Sequence, residues 1–233
     1  MERVLDLRHK FIESSKTTFE FYTYIINASL ISAIGLMTNN SGVVIASMLI
    51  SPIMNFVLSL ALGILFKDWV LIRNGTKGIV ISILICVTTG IGIGSFHYNK
   101  LELTNEMLLR TDGDNLYWSL LLAFFSGLSA SASIMEENIN NMVGVAISTS
   151  ILPPLVNFGL LLPNVHSKDI GIYPCMNSLY LAVGNILIII VSCLFLIFSY
   201  TNIKKTRLSE MIVIARDKDL EREDTEMPQV YSS

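Results

Sequence analysis

Six apolar blocks constrain this chain more than any other feature of its sequence. They run at about Phe21–Thr38, Gly42–Phe66, Gly78–Phe96, Tyr117–Met135, Met142–Leu162 and Leu179–Tyr200. Each supplies the roughly 20 mostly apolar residues that a helix needs to cross a bilayer. Runs such as "NILIIIVSCLFLIFSY" are apolar all round, whereas barrel strands alternate in character over roughly ten residues. Lipid cannot satisfy a bare backbone, so blocks of this kind imply helices. The expected fold is an all-α membrane protein with six transmembrane helices. Composition agrees: 52% of the 233 residues are apolar and 15% charged, with mean hydropathy +0.59, too apolar for a soluble domain of this size.

Basic residues orient the blocks, because Lys and Arg in short loops stay on the cytoplasmic side. Thirteen of the 16 lie before the first block, after the second, or in the tail from Lys204 to Arg222. The other three are Lys100, Arg110 and Lys168, so both termini are expected in the cytoplasm. Residues 1–19 read as a cytoplasmic amphipathic lead-in with Val4, Leu7 and Phe11 at near-helical spacing, or equally as a solvated helix. Residues 20–200 form the six-helix domain, and 201–233 a cytoplasmic charged tail, partly disordered. No convincing cleavage site follows the first block, which is expected to be retained. The net charge of −3 comes from the ends and the Lys100–Asp114 connection and does not point to nucleic acid. The lipid bilayer is the expected partner. A homodimer is compatible with so thin a six-helix wall.

An internal repeat refines the count. Shifting the chain by 102 positions lays "NNSGVVIASMLISPIMNFVL" on "NMVGVAISTSILPPLVNFGL". The matches include Gly42 with Gly144, Pro52 with Pro154, Asn55 with Asn157 and Phe56 with Phe158, a frame that two unrelated apolar helices hardly share. The repeats cover about 21–96 and 117–200, three blocks each. An odd number of spans per unit makes the second unit enter from the opposite side, giving two inverted three-helix repeats, as in many secondary transporters.

Proline removes a backbone donor and clashes with the carbonyl four residues earlier. Pro52 is therefore expected to break the second helix, and Pro153 and Pro154 the fifth, loosening the carbonyls of Met48, Thr149 and Ser150. Broken helices in corresponding places of two inverted repeats point to a binding site near mid-membrane. The expected substrate-binding residues are Ser51, Pro52, Asn55, Thr149, Ser150, Pro153, Pro154 and Asn157, with Asn27 from the first block. The two amides serve equally well as caps for broken helix ends. The small-residue stripe "SGLSASAS" at Ser126–Ser133 suits helix packing better than a cavity wall. Glu136 and Glu137 are able to bind a cation if their connection dips into the membrane, and otherwise sit solvated at its face.

Signals for chemistry are absent from the sequence. No metal-ligand spacing, phosphate-binding loop, HExxH or GxSxG occurs, so neither an enzyme, a metal nor a cofactor is expected. Cys86 and Cys193 lie in apolar blocks and Cys175 in a connection, suggesting no disulfide. Asn39-Asn40-Ser41 matches a glycosylation sequon too close to the membrane face for use.

The segments "GLMTNNSGVVIASMLISPIMNFVLSLALG" and "SGLSASASIMEENINNMVGVAISTSILPPLVNFGLLL" resemble the two hallmark blocks of the family called domain of unknown function 389. The resemblance covers roughly Phe21 to Tyr200. It is most specific in "MLISPIM" and "VGVAISTSILPPL", where Pro52, Pro153 and Pro154 stand at the motif positions. It implies a hydrophobic multi-pass membrane protein and supplies no activity, because the family's function is not established. The chain departs from the family in "IMEENINN", and the sizeable soluble domain of some members is not found in this sequence. The leading expectation is a small secondary transporter or channel for a small solute or ion. The alternative is a non-transporting membrane scaffold or assembly protein. Breaks that face each other across a polar cavity favour the first, and breaks packed dry favour the second.

Overall fold

The computed structural model describes residues 2–98, 101–135, 141–165 and 171–204. Among them the chain is all helix and turn, in nine α-helices: α1 (Glu2–Ser14), α2 (Phe19–Met37), α3 (Ser41–Ile50), α4 (Ile53–Phe66), α5 (Trp69–Phe96), α6 (Asn105–Leu108), α7 (Gly113–Met135), α8 (Asn141–Leu161) and α9 (Ile172–Lys204). Four of these, α2, α5, α7 and α9, are long and apolar enough to cross a membrane, and α3 with α4 makes a fifth if that bent pair is one span.

Local chemistry sets the boundaries. The Thr18 hydroxyl caps α2 by accepting from Phe21 N, and the Asn40 side chain caps α3 by accepting from Val43 N. Asn39 takes the left-handed conformation between them (φ 52°), which Asn tolerates better than most residues. Lys67 closes α4 in the same conformation, and the Asp68 carboxylate then caps α5 through Val70 N and Leu71 N. That cap lengthens the third apolar helix by nine residues beyond the expected start at Gly78.

The core lies between helices, and aliphatic side chains such as Val80, Leu84, Leu187 and Val191 point outward. Aromatic residues at helix ends, Phe19, Trp69, Phe96, Tyr117, Trp118 and Tyr173, are also exposed. An apolar outer surface rimmed by aromatics is what a bilayer and its two interfaces favour. α8 is the central strut, packed against α2, α3, α4, α5, α7 and α9. Its crossing with α5 is close because Gly90 and Gly159 meet there: a Cβ on Gly90 would stand 2.6 Å from the Val156 carbonyl, and one on Gly159 2.5 Å from that of Val87.

Two expectations are corrected here. α1 is not a free surface helix: Phe11 is buried in the core, its carbonyl accepts from Ser59 Oγ at 3.3 Å, and Arg8 pairs with the buried Asp68 at 2.7 Å. The fifth apolar block is not broken either, since α8 runs through Pro153 and Pro154 without interruption. At Pro154 a donor from another helix takes the place of the missing N–H. Pro154 has no N–H for the Ser150 carbonyl, and Asn185 of α9 donates to that carbonyl instead, at 2.6 Å.

Candidate polar site

The break expected at Pro52 is present. α3 ends at Ile50, α4 begins at Ile53, and the two axes differ by 52°. Ser51 N reaches back to the Met48 carbonyl at 3.4 Å, so the group loosened by Pro52 retains a donor. Pro52 offers α4 no side-chain cap. Ser51, Pro52 and Asn55 are each half-buried, and the Asn55 side chain has no hydrogen-bond partner among the described residues. Ser51 Oγ accepts from Ile53 N at 3.5 Å and the Pro52 carbonyl from Asn55 N at 3.2 Å, so the first turn of α4 is partly capped and stands beside an unengaged amide.

The corresponding residues in α8 are placed differently. Pro153, Pro154 and Asn157 are fully enclosed. Asn157 donates to the Met107 carbonyl at 3.2 Å and to Ser178 Oγ at 2.9 Å, and its own oxygen is buried without a partner. Its hydrogen bonds thus run to α9 and the α6 connection, not to the α3–α4 break. Ser150 is buried and contributes its carbonyl to Asn185. The Thr149 side chain, and Glu136 and Glu137 altogether, lie outside the described residues. Asn27 is exposed on the outer face of α2, away from any interior site.

A second polar centre, which the sequence reading did not single out, surrounds α6. Glu106 is buried, accepts from Ser41 Oγ and pairs with Arg110 at 2.9 Å. Its N–H meets the Asn39 side chain at 3.0 Å, and Thr104 Oγ1 donates to the Leu36 carbonyl at 2.6 Å. On the far side, Ser178 donates to the Arg110 carbonyl at 3.0 Å and Asn177 to that of Thr111 at 2.9 Å. The connection therefore stitches the α2–α3 turn to α8 and α9. Burial pushes the Glu106 carboxyl up, but the Ser41 and Arg110 hydrogen bonds and the Arg110 charge outweigh it, and the group is held below its usual value. The sequon residues Asn39, Asn40 and Ser41 are all engaged in this turn.

The fold defines a class: an all-helical protein with several helices apolar enough to lie in a membrane. Within it, the chain belongs to the family described as a domain of unknown function, DUF389, which matches residues 48–191. An uncharacterized protein of Methanocaldococcus jannaschii is 28% identical over 139 residues, 59% of this chain and 42% of the relative. The chain thus spans less than half of the curated relative it matches. No solved structure matches it.

Proposed function

We propose that the chain is a six-span membrane protein, a small transporter or channel for a small solute or ion, with its site at the α3–α4 break. The spans are α2, α3 with α4, α5, α7, α8 and α9, with both termini in the cytoplasm as the basic residues require. Burial supports reading these as two equivalent units. Phe21, Ile25, Ala28, Ser29 and Ser32 form the inward face of α2, and 102 positions on, Ala123, Gly127, Ala130, Ser131 and Ile134 form the inward face of α7. Packing is reciprocal too: α5 of the first unit lies on α8 of the second, and α9 of the second lies on α4 of the first. Such a swap is what a two-fold relation between inverted repeats produces.

The observation that carries transport is the Ser51–Pro52 break beside the unengaged Asn55 amide. A helix start in mid-span offers the positive end of its dipole, and in lipid a polar break of this kind is tolerated where it meets protein or a wet cavity. The scaffold reading is favoured by one specific observation, the dry enclosure of Pro153, Pro154 and Asn157. Proteoliposomes carrying the full chain, assayed against a panel of ions and small solutes, separate the two. Transport predicts flux that is lost in Asn55→Ala while the protein melts as before. No flux across the panel leaves the scaffold, and flux untouched by Asn55→Ala overturns the site at the α3–α4 break.

A further inference from the structure

Asn27 occupies an unusual place on α2. The inward face of this helix is filled by residues such as Ile25, Ala28, Ser29 and Ser32, while Tyr24, Asn27, Leu30 and Ile34 form an exposed seam at intervals of three and four. Asn27 lies near the centre of the helix and makes no hydrogen bond among the described residues. Several other hydroxyls on the outer faces of the long helices are satisfied by their own backbone. Thr23 donates to the Phe19 carbonyl at 3.0 Å, Thr88 to Leu84 at 2.7 Å and Ser95 to Ile91 at 2.7 Å. Ser129, the counterpart of Asn27 in the second unit, donates to Phe125 at 2.9 Å. The amide alone in this set has no such outlet, and acyl chains offer it neither donor nor acceptor.

We infer that the outer face of α2 is a self-association surface, on which a second copy of this chain docks with Asn27 opposite Asn27. The amide selects this occupant because it is self-complementary. A two-fold axis along the membrane normal brings the N–H of each Asn27 to the carbonyl oxygen of the other, so both are satisfied at once. Leu30 and Ile34 continue the seam toward one end and Tyr24 toward the other, giving apolar contact along the same stripe. The inference rests on reading α2 as a membrane span, since in water the same amide would simply be hydrated.

The test uses the full chain reconstituted in lipid vesicles at high lipid excess, with labelled copies counted by photobleaching. Pairs are expected for the wild type, single copies for Asn27→Leu, and pairs again for Asn27→Gln, which restores the amide. Oxidative cross-linking adds geometry: Ile34→Cys forms a dimer band that disappears when Asn27→Leu is added, and Ser129→Cys on α7 forms none. The three native cysteines, Cys86, Cys175 and Cys193, are buried and leave a clean background. A wild type that stays single, pairs that persist in Asn27→Leu, or equal cross-linking from Ser129→Cys overturns the inference. So does a cross-link from Ile34→Cys in cell membranes to a different protein in place of a second copy. Release of the protein from vesicles by alkaline carbonate would instead overturn the membrane reading beneath it.

Discussion

Asn157 and Asn185 tie the same seam from opposite sides: Asn157 of α8 donates to Ser178 of α9 at 2.9 Å, and Asn185 of α9 donates to the Ser150 carbonyl of α8 at 2.6 Å. From 150 to 157 on one helix and from 185 back to 178 on the other the step is equal, as antiparallel neighbours require. The pair accounts for the unbroken helix at Pro154. The carbonyl orphaned by Pro154 is not left bare, so the helix gains nothing by unwinding to find it a partner.

This account predicts coupling between Pro154 and Asn185. Asn185→Ala in the wild-type background takes this donor from the buried Ser150 carbonyl and is expected to cost about 1–3 kcal/mol. In Pro154→Ala the helix supplies its own N–H to that carbonyl, so the same Asn185→Ala change costs substantially less. A double-mutant cycle on detergent-solubilised protein, read by denaturant unfolding, measures the difference. Equal costs in the two backgrounds would show that Asn185 does not replace the missing proline donor.

The Asp68 carboxylate does two jobs, capping α5 and pairing with Arg8 of α1. Asp68→Asn keeps an oxygen at the cap and removes the charge, whereas Asp68→Ala removes both. Asp68→Ala is therefore expected to be less stable than Asp68→Asn by about 1 kcal/mol, the ordinary worth of an N-cap. Both variants should loosen α1, which proteolysis near Arg8 reads out directly. If the two melt alike, the cap contributes nothing beyond the ion pair.

Acid should weaken the α6 connection. The folded-state pKa of Glu106 is depressed, so its contribution is complete above the unfolded value, about 4.3 for glutamate, and is lost as pH falls through the lower folded value. Wild type is expected to lose more thermal stability than Glu106→Gln on going from neutral pH to pH ~3, where the ordinary carboxylates also protonate. Parallel melting curves for the two proteins across that range would show that the Arg110 pair and the Ser41 bond do not govern this junction.

Much of the fold was legible because apolar length and proline chemistry act locally. The apolar blocks fall on the observed helices to within a few residues at most ends, and Pro52 alone was enough to place the α3–α4 break. What was not legible depended on partners distant in sequence. Whether Pro154 breaks its helix turns on Asn185, which stands in the last apolar block as a polar residue of no evident motif. Arg8 docks because Asp68 awaits it and Phe11 because the core and Ser59 do, and nothing in residues 1–19 reveals that. The shared Asn55 and Asn157 frame suggested one role for both, yet local identity does not fix environment: Asn157 is enclosed by α6 and α9, and Asn55 is half-buried at the break.

The tightness of the crossing between α5 and α8 makes a last prediction. A Cβ added to Gly90 or to Gly159 meets backbone, at 2.6 Å from the Val156 carbonyl or 2.5 Å from the Val87 carbonyl, and backbone cannot rotate aside as a side chain can. Gly90→Ala and Gly159→Ala should each destabilise by about 1–3 kcal/mol through overpacking. Because one outward shift of α5 relieves both contacts, the double variant should cost less than the two single costs together. Gly92, two residues along the same helix, has open space where its Cβ would go. Gly92→Ala should therefore be neutral, or more stable by about 0.5–1 kcal/mol from the better helix propensity of alanine. Unfolding of the four variants in one detergent gives the comparison, and a Gly90→Ala protein as stable as Gly92→Ala would mean that the helices do not cross at these glycines.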